Sequence, residues 1–261
     1  MGQPGGFTMI QERIEDGIII ATMAHGKNNS ITLDLLRQLK DIVTRVNTQD
    51  EIKGIVLTGS GKTFSSGFDL PIFLGFKDIK EAVDFYIDEE DCMLELFTCK
   101  KPVVAAVNGS AVAGGMILTM ACDWRIMKNH PKLKMGMSEI KIGVPLSVTQ
   151  SWIMRFGLGS NRLFRDVMYL SEMYDVNRAK ELGLIDEIVE EDQLIIRAKE
   201  IIGNFMGQPG HAFTKIKDDL RMSTAQSIRE AVKSENWQKS LQFFFDPAVR
   251  ATLDSVQKKM E

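Results

Sequence analysis

The chain has 261 residues, 44% of them hydrophobic, and a formal net charge of -3. That suffices for a sizeable core, in one large domain or a domain with a small appendage. No Lys/Arg cluster stands clear of acidic neighbours, no apolar run reaches membrane-spanning length, and Met1 to Thr8 lacks the charged-then-apolar order of a signal, which argues against nucleic-acid and membrane partners.

Gly17 to Met23 is a β-branched run and predicts a strand. The segment AHGKNNSIT after it is a loop by its Gly, Asn and Ser content. Thr32 is a good helix cap, and Leu35, Leu36, Leu39, Ile42, Val43 and Val46 follow at helical spacing. Lys53 to Gly59 predicts a second strand, and SGKTFSSGFDL a glycine-rich loop. Asp78 to Cys99 has an amphipathic helical pattern, with a solvated acidic patch expected at Asp88 to Asp91. Lys101 to Gly109 predicts a third strand, the run after Gly114 a buried helix, and CDWRIM a short strand. MGMSEIKIGVP is expected to be a loop closed by Pro145. Helices are expected over 147–156, 161–170, 177–182 and 191–206, then a long polar region. Strands alternating with helices, then helices alone, predict an α/β core with a helical C-terminal part.

Several short motifs lead nowhere. GSGKT would need Gly at Val56 for a phosphate loop, and Gly at Phe64 for a dinucleotide fingerprint. Ser65 and Ser66 miss the nucleophile-elbow pattern, because position 63 is Thr. His25, His130 and His211 lie in predicted loops without metal-ligand neighbours. Cys92, Cys99 and Cys122 are scattered and odd in number, which reads as free thiols of a reducing compartment, here taken as the cytoplasm. Two glycine turns remain, Ser66-Gly67-Phe68-Asp69 and Ala113-Gly114-Gly115, each after a buried strand. They are either turn and packing glycines, or a pair of converging amides that stabilise a negative oxygen.

In order, TFSSGFDL, VVAAVNGSAVAGGMILTMACDWRI and MGMSEIKIGVP resemble the crotonase (enoyl-CoA hydratase/isomerase) superfamily, over most of the chain. The resemblance implies a fold of repeated β-β-α units, with a core over 1–200 and a helical trimerisation region over 201–261. It implies an acyl-CoA thioester substrate, no cofactor beyond the coenzyme A of that substrate, and a homotrimer or dimer of trimers. The thioester carbonyl would sit on the amides of Phe68 and Gly114. Ser66, Gly67, Asp69, Leu70 and Gly115 would border the ligand, with the Ser65 to Phe68 loop near the adenine. Family hydratases carry a Glu three residues after the central glycine; here that position is Ile117, expected to form a dry wall. The family's second acid matches Glu139, with Ser138 in place of Pro. One carboxylate serves hydration poorly and double-bond migration well, because one base can take a proton at C2 and return it at C4. That arrangement resembles the Δ3,Δ2-enoyl-CoA isomerase branch. Hydration, thioester hydrolysis, decarboxylation and non-catalytic acyl-CoA binding are the alternatives. Absence of any acid between Glu139 and Asp166 argues against halide displacement.

Overall fold

The computed structural model describes residues 8–260. It opens with a hairpin, β1 (Ile10–Glu15) antiparallel to β2 (Ile18–Met23). Its turn, Asp16-Gly17, has φ values of +54° and +78°. Asp-Gly favours the left-handed pair that a tight hairpin needs. Helix α1 (Leu33–Thr48) follows, capped by Thr32 Oγ1, which accepts from Leu35 N at 3.2 Å.

Three units of one pattern come next. The first holds β3 (Gly54–Gly59), β4 (Thr63–Ser65), α2 (Leu70–Gly75) and α3 (Ile79–Phe97). The second holds β5 (Val103–Val107), β6 (Ser110–Val112) and α4 (Gly114–Ala121). The third holds β7 (Trp124–Lys128), β8 (Met135–Gly136) and α5 (Glu139–Ile142). In each, the first strand joins a large sheet and the second a small one. Helices α6 (Val148–Leu158) and α7 (Asn161–Leu170), strand β9 (Met173–Tyr174), helix α8 (Val176–Glu181) and strand β10 (Glu187–Val189) follow. The large sheet has the order β1-β2-β3-β5-β7-β10 and is parallel apart from β1. The small one has the order β4-β6-β8-β9, with β9 antiparallel.

The large sheet is covered on both faces, which is why its strands read as unbroken apolar runs. Ile19, Ala21, Ile55, Leu57, Val103 and Ala105 join the main core with α1, α3, α4 and α6. The alternate residues Ile18, Ile20, Val56, Val104 and Ala106 pack against α9 (Leu194–Met206). The expected division at position 200 therefore falls inside a helix that packs on the sheet.

The polar tail of the sequence folds into α10 (Ala212–Lys233), a 3-10 segment over 236–245, and α11 (Pro247–Met260). Helix α10 is fastened by a buried charge cluster. Asp123 meets Lys217 at 2.6 Å and Arg221 at 2.9 Å, and these side chains are at most 8% exposed. Arg221 also donates to the carbonyls of Phe97, Ala121 and Cys122.

Two expectations fail here. The MGMSEIKIGVP segment is not a plain loop, since it holds β8 and α5. Nor is the acidic run of α3 solvated. Glu89 and Glu90 are buried, while Asp88 and Asp91 face solvent and pair with Arg37 and Lys40. Four consecutive acids cannot share one helix face at 3.6 residues per turn.

Candidate active site

The two glycine turns leave neighbouring parallel strands at the same end. Ser65 of β4 is paired with Ala111 of β6, so the chain beyond each emerges side by side. Gly67 has a φ of +98°, and a Cβ there would stand 2.9 Å from Ala113 Cβ and 3.1 Å from Gly114 N. A Cβ on Gly114 would stand 3.0 Å from the Phe68 ring. The left-handed backbone and the 2.9 Å contact require glycine at Gly67, and any side chain at Gly114 would push Phe68 and Ile31 aside.

Phe68 is held from outside by Ile31. Ile31 N donates to Gly67 O at 2.8 Å, and Asp69 N donates to Ile31 O at 3.0 Å. Ala113 is pinned by its own N–H, which donates to Gly136 O at 2.9 Å. Its φ of 55° and ψ of -126° lie where non-glycine residues seldom go. Among the described residues, neither Phe68 N–H nor Gly114 N–H donates a hydrogen bond. Gly114 also opens α4, so its amide carries the positive end of a helix eight residues long. An amide at a helix start without a protein acceptor attracts a negative oxygen.

Glu139 comes to the same cavity from the small sheet, as the first residue of α5. Its side chain is 8% exposed, and Ser138 N donates to Oε2 at 2.7 Å. No cation pairs with it among the described residues. Burial pushes its carboxyl up to about 7, against the pull of the Glu139 and Ser138 backbone amides.

The cavity between these groups has a volume of about 280 Å³. Ser66, Phe68, Gly114, Ser138 and Glu139 share its wall with Leu70 and Phe73 of α2, Tyr86 of α3, Gln150 of α6 and Val256 of α11. Phe68 packs on Phe73 and Phe85, the edge of an aromatic cluster that reaches Phe244. Ser66 Oγ is buried without a hydrogen-bond partner among the described residues.

Of the expected residues, Ser66, Phe68, Leu70, Gly114 and Glu139 are brought together. Four are not in the wall. Gly67 serves as the close contact between turns. Gly115 packs on β4, where a Cβ would stand 2.3 Å from Ser65 O. Asp69 occupies the cap position of α2 without a side-chain capping bond. Ile117 is 1% exposed and lies in the main core, one turn into α4 from Gly114. The apolar part of the cavity wall includes Leu70, Phe73, Ile142, Val144 and Val256. Met135 and Met137, which flank the Glu139 segment, belong to the core too. Tyr86, Gln150 and Val256 escaped sequence reading. Only Gln150 carried a signal, as the fourth member of a Ser-x-x-Gln capping box, and that signal speaks of a helix start.

The model of the enoyl-CoA hydratase/isomerase family matches residues 13–250. The chain belongs to that family. Among relatives of this enoyl-CoA hydratase/isomerase member, the mitochondrial enoyl-CoA delta isomerase 1 of Mus musculus is 25% identical over 244 residues, spanning 88% of this chain and 83% of its own. The crotonyl-CoA hydratase of Syntrophomonas wolfei is 30% identical over 183 residues, 69% of this chain and 68% of its own. The crystal structure of human mitochondrial delta3-delta2-enoyl-CoA isomerase has a TM-score of 0.89 at 21% identity, covering 97% of this chain and 98% of that one. The fold is thus the crotonase fold, and the chain is an enzyme of the family, with isomerase and hydratase relatives alike.

Proposed function

We propose that this enzyme moves the double bond of a 3-enoyl-CoA to the 2-position, with Glu139 as the single acid/base. The observation that carries the reading is that Glu139 is the one carboxylate in the cavity wall among the described residues. The thioester oxygen rests on the amides of Phe68 and Gly114. Glu139, as carboxylate, removes the proton from C2. The electron pair of that C–H bond forms the C1–C2 double bond, and negative charge settles on the thioester oxygen. The C3–C4 pair then takes the proton from Glu139 at C4, while the oxygen returns its charge and C2–C3 becomes double. Nothing is oxidised and no group is lost, so the reaction calls for no cofactor besides the substrate's own coenzyme A. Apolar side chains around the carboxyl keep solvent protons from the dienolate.

Hydration is the second reading, favoured by the crotonyl-CoA hydratase relative. It asks for a positioned water beside two acid/base groups, and the family's other acid position here is Ile117, in the core. A trimer or dimer of trimers and a cytoplasmic setting remain part of the proposal. No helix of the described residues is long and apolar enough to cross a membrane.

The test is ultraviolet absorbance at the conjugated enoyl-thioester band, with 3-hexenoyl-CoA and, separately, crotonyl-CoA. A rise with the first substrate that is lost in Glu139→Gln supports isomerisation. A fall with the second and no rise with the first would replace it by hydration.

A further inference from the structure

The buried acids of α3 stand next to the cavity, and the mechanism leaves them without a task. Glu90 is accounted for by structure. Its two oxygens accept from Val148 N at 2.8 Å and Thr149 N at 2.6 Å, at the start of α6. A carboxylate suits that position, where free amides and the helix dipole meet. Glu89 has no such partner. It is fully buried, one oxygen accepts from Gln150 Nε2 at 2.9 Å, and Oε2 has no hydrogen-bond partner among the described residues. Gln150 in turn is held through Oε1, which accepts from Ser147 N at 3.2 Å. The same carboxamide lines the cavity that holds Glu139, in a wall otherwise rich in hydrocarbon.

We propose that Glu89 is a positioning residue of the active site, fixing the Gln150 carboxamide in the cavity wall through the Oε1 contact. Gln150 is the group that touches the ligand, and Glu89 acts through it. Either form of Glu89 accepts from Gln150, but burial beside Glu90 favours the neutral acid. An unpartnered hydroxyl is a smaller loss in a dry interior than an unpartnered carboxylate oxygen. Its surroundings agree. Burial and the Glu90 charge push the Glu89 carboxyl up to about 8, against Gln150 and Ser147. On α3, Glu90, Tyr86 and Cys92 interact with it electrostatically, while Asp88 and Asp91 are paired on the outer face. From the start of α6 come uncharged Ser147 and Gln150. Arg37 and Lys40 of α1 pair on the outer face of α3, and Arg221 of α10 lies over Phe97 at its far end. Glu139 is the further acid within range of Tyr86. When Glu89 ionises, its carboxylate and that of Glu90 stand side by side at the start of α6, and their repulsion moves Glu89 together with the Gln150 carboxamide it holds. The cavity then loses its ligand-binding geometry on the alkaline side.

The inference rests on the proposed isomerisation for its kinetic readout, so one arm of the test does not. Infrared spectra of wild type minus Glu89→Gln, recorded from pH 6 to 10, should show a protonated-carboxyl band that disappears around pH 8. Affinity for hexanoyl-CoA, a saturated ligand, should fall several-fold above that pH in wild type and hold steady in Glu89→Gln. For turnover of 3-hexenoyl-CoA, Glu89→Ala should lower kcat/KM by about tenfold, with Glu89→Gln recovering most of the loss and shifting the alkaline limb upward. No protonated band at pH 7, or an alkaline limb that Glu89→Gln leaves in place, overturns the proposal. A band and affinity change as described, with no turnover of 3-hexenoyl-CoA, sustains the role of Glu89 while removing the isomerase reading.

Discussion

At the scale of single residues, the site depends on how Glu139 pays for its burial. A carboxyl at about 7 is a competent base only once ionised, so kcat/KM should climb as pH rises through neutrality until the alkaline limb set by Glu89 begins. Glu139→Gln should abolish that climb and cost about 10²–10⁴-fold in rate. The same variant should be more heat-stable than wild type at pH 8, where the native carboxylate is charged without a counterion. The folded carboxyl lies above the ordinary 4.5, so its contribution to stability is whole below 4.5 and lost as pH climbs through 7. The gain from Gln should therefore be greatest above 7 and vanish near pH 4; calorimetry at both settles it. Gly67 tests the amide pair. Alanine there meets Ala113 Cβ at 2.9 Å in a left-handed conformation, at about 1–3 kcal/mol. Because the contact pushes on the turn that carries Gly114 N, Gly67→Ala should lower kcat on the order of 10²-fold while hexanoyl-CoA still binds.

Elements show what could be read in advance. Strands β3 and β5 were legible because a sheet covered on both faces leaves unbroken apolar runs. Helix α1 was legible through its cap Thr32 and its apolar spacing, and α3 through its amphipathic pattern; the structure adds Asp78 as the cap of α3. Strand β1, IQERIE, was not, since it lies at the sheet edge and buries Ile10 alone. The three residues of β6 fall below any periodic signal. At the site, the glycine turns and Glu139 were visible as ordered motifs. Glu89 was not, because a run of acids carries no mark of which member points inward. Helix α10 looked like a polar tail, yet its buried Lys217 and Arg221 close on Asp123. Removing one partner of a buried pair strands the other charge, so Asp123→Asn should cost about 3–5 kcal/mol and lower the melting temperature on the order of 10 °C. Thermal melts of the variant beside wild type decide it; a change under one degree would mean the cluster is ornamental.

For the molecule as a whole, three buried acids, Glu89, Glu90 and Glu139, are all held above their ordinary range. The folded chain therefore keeps protons that the unfolded chain releases, and global stability should decline from pH 5 to pH 8.5. Acids lowered by partners, such as Glu187 beside Arg197, work in the opposite sense, but they lie near the surface and count for less. Melting temperatures across that range, repeated on Glu89→Gln, should show a shallower decline in the variant. Val256 closes a wall of the cavity, and Arg250 ties α11 to Leu74 O at 2.6 Å. During synthesis, both sheets and the pair of amides can form while residue 256 is still inside the ribosome. A nascent chain then has a fold before it has a site, and reactive thioesters meet a closed pocket only once translation has passed that point.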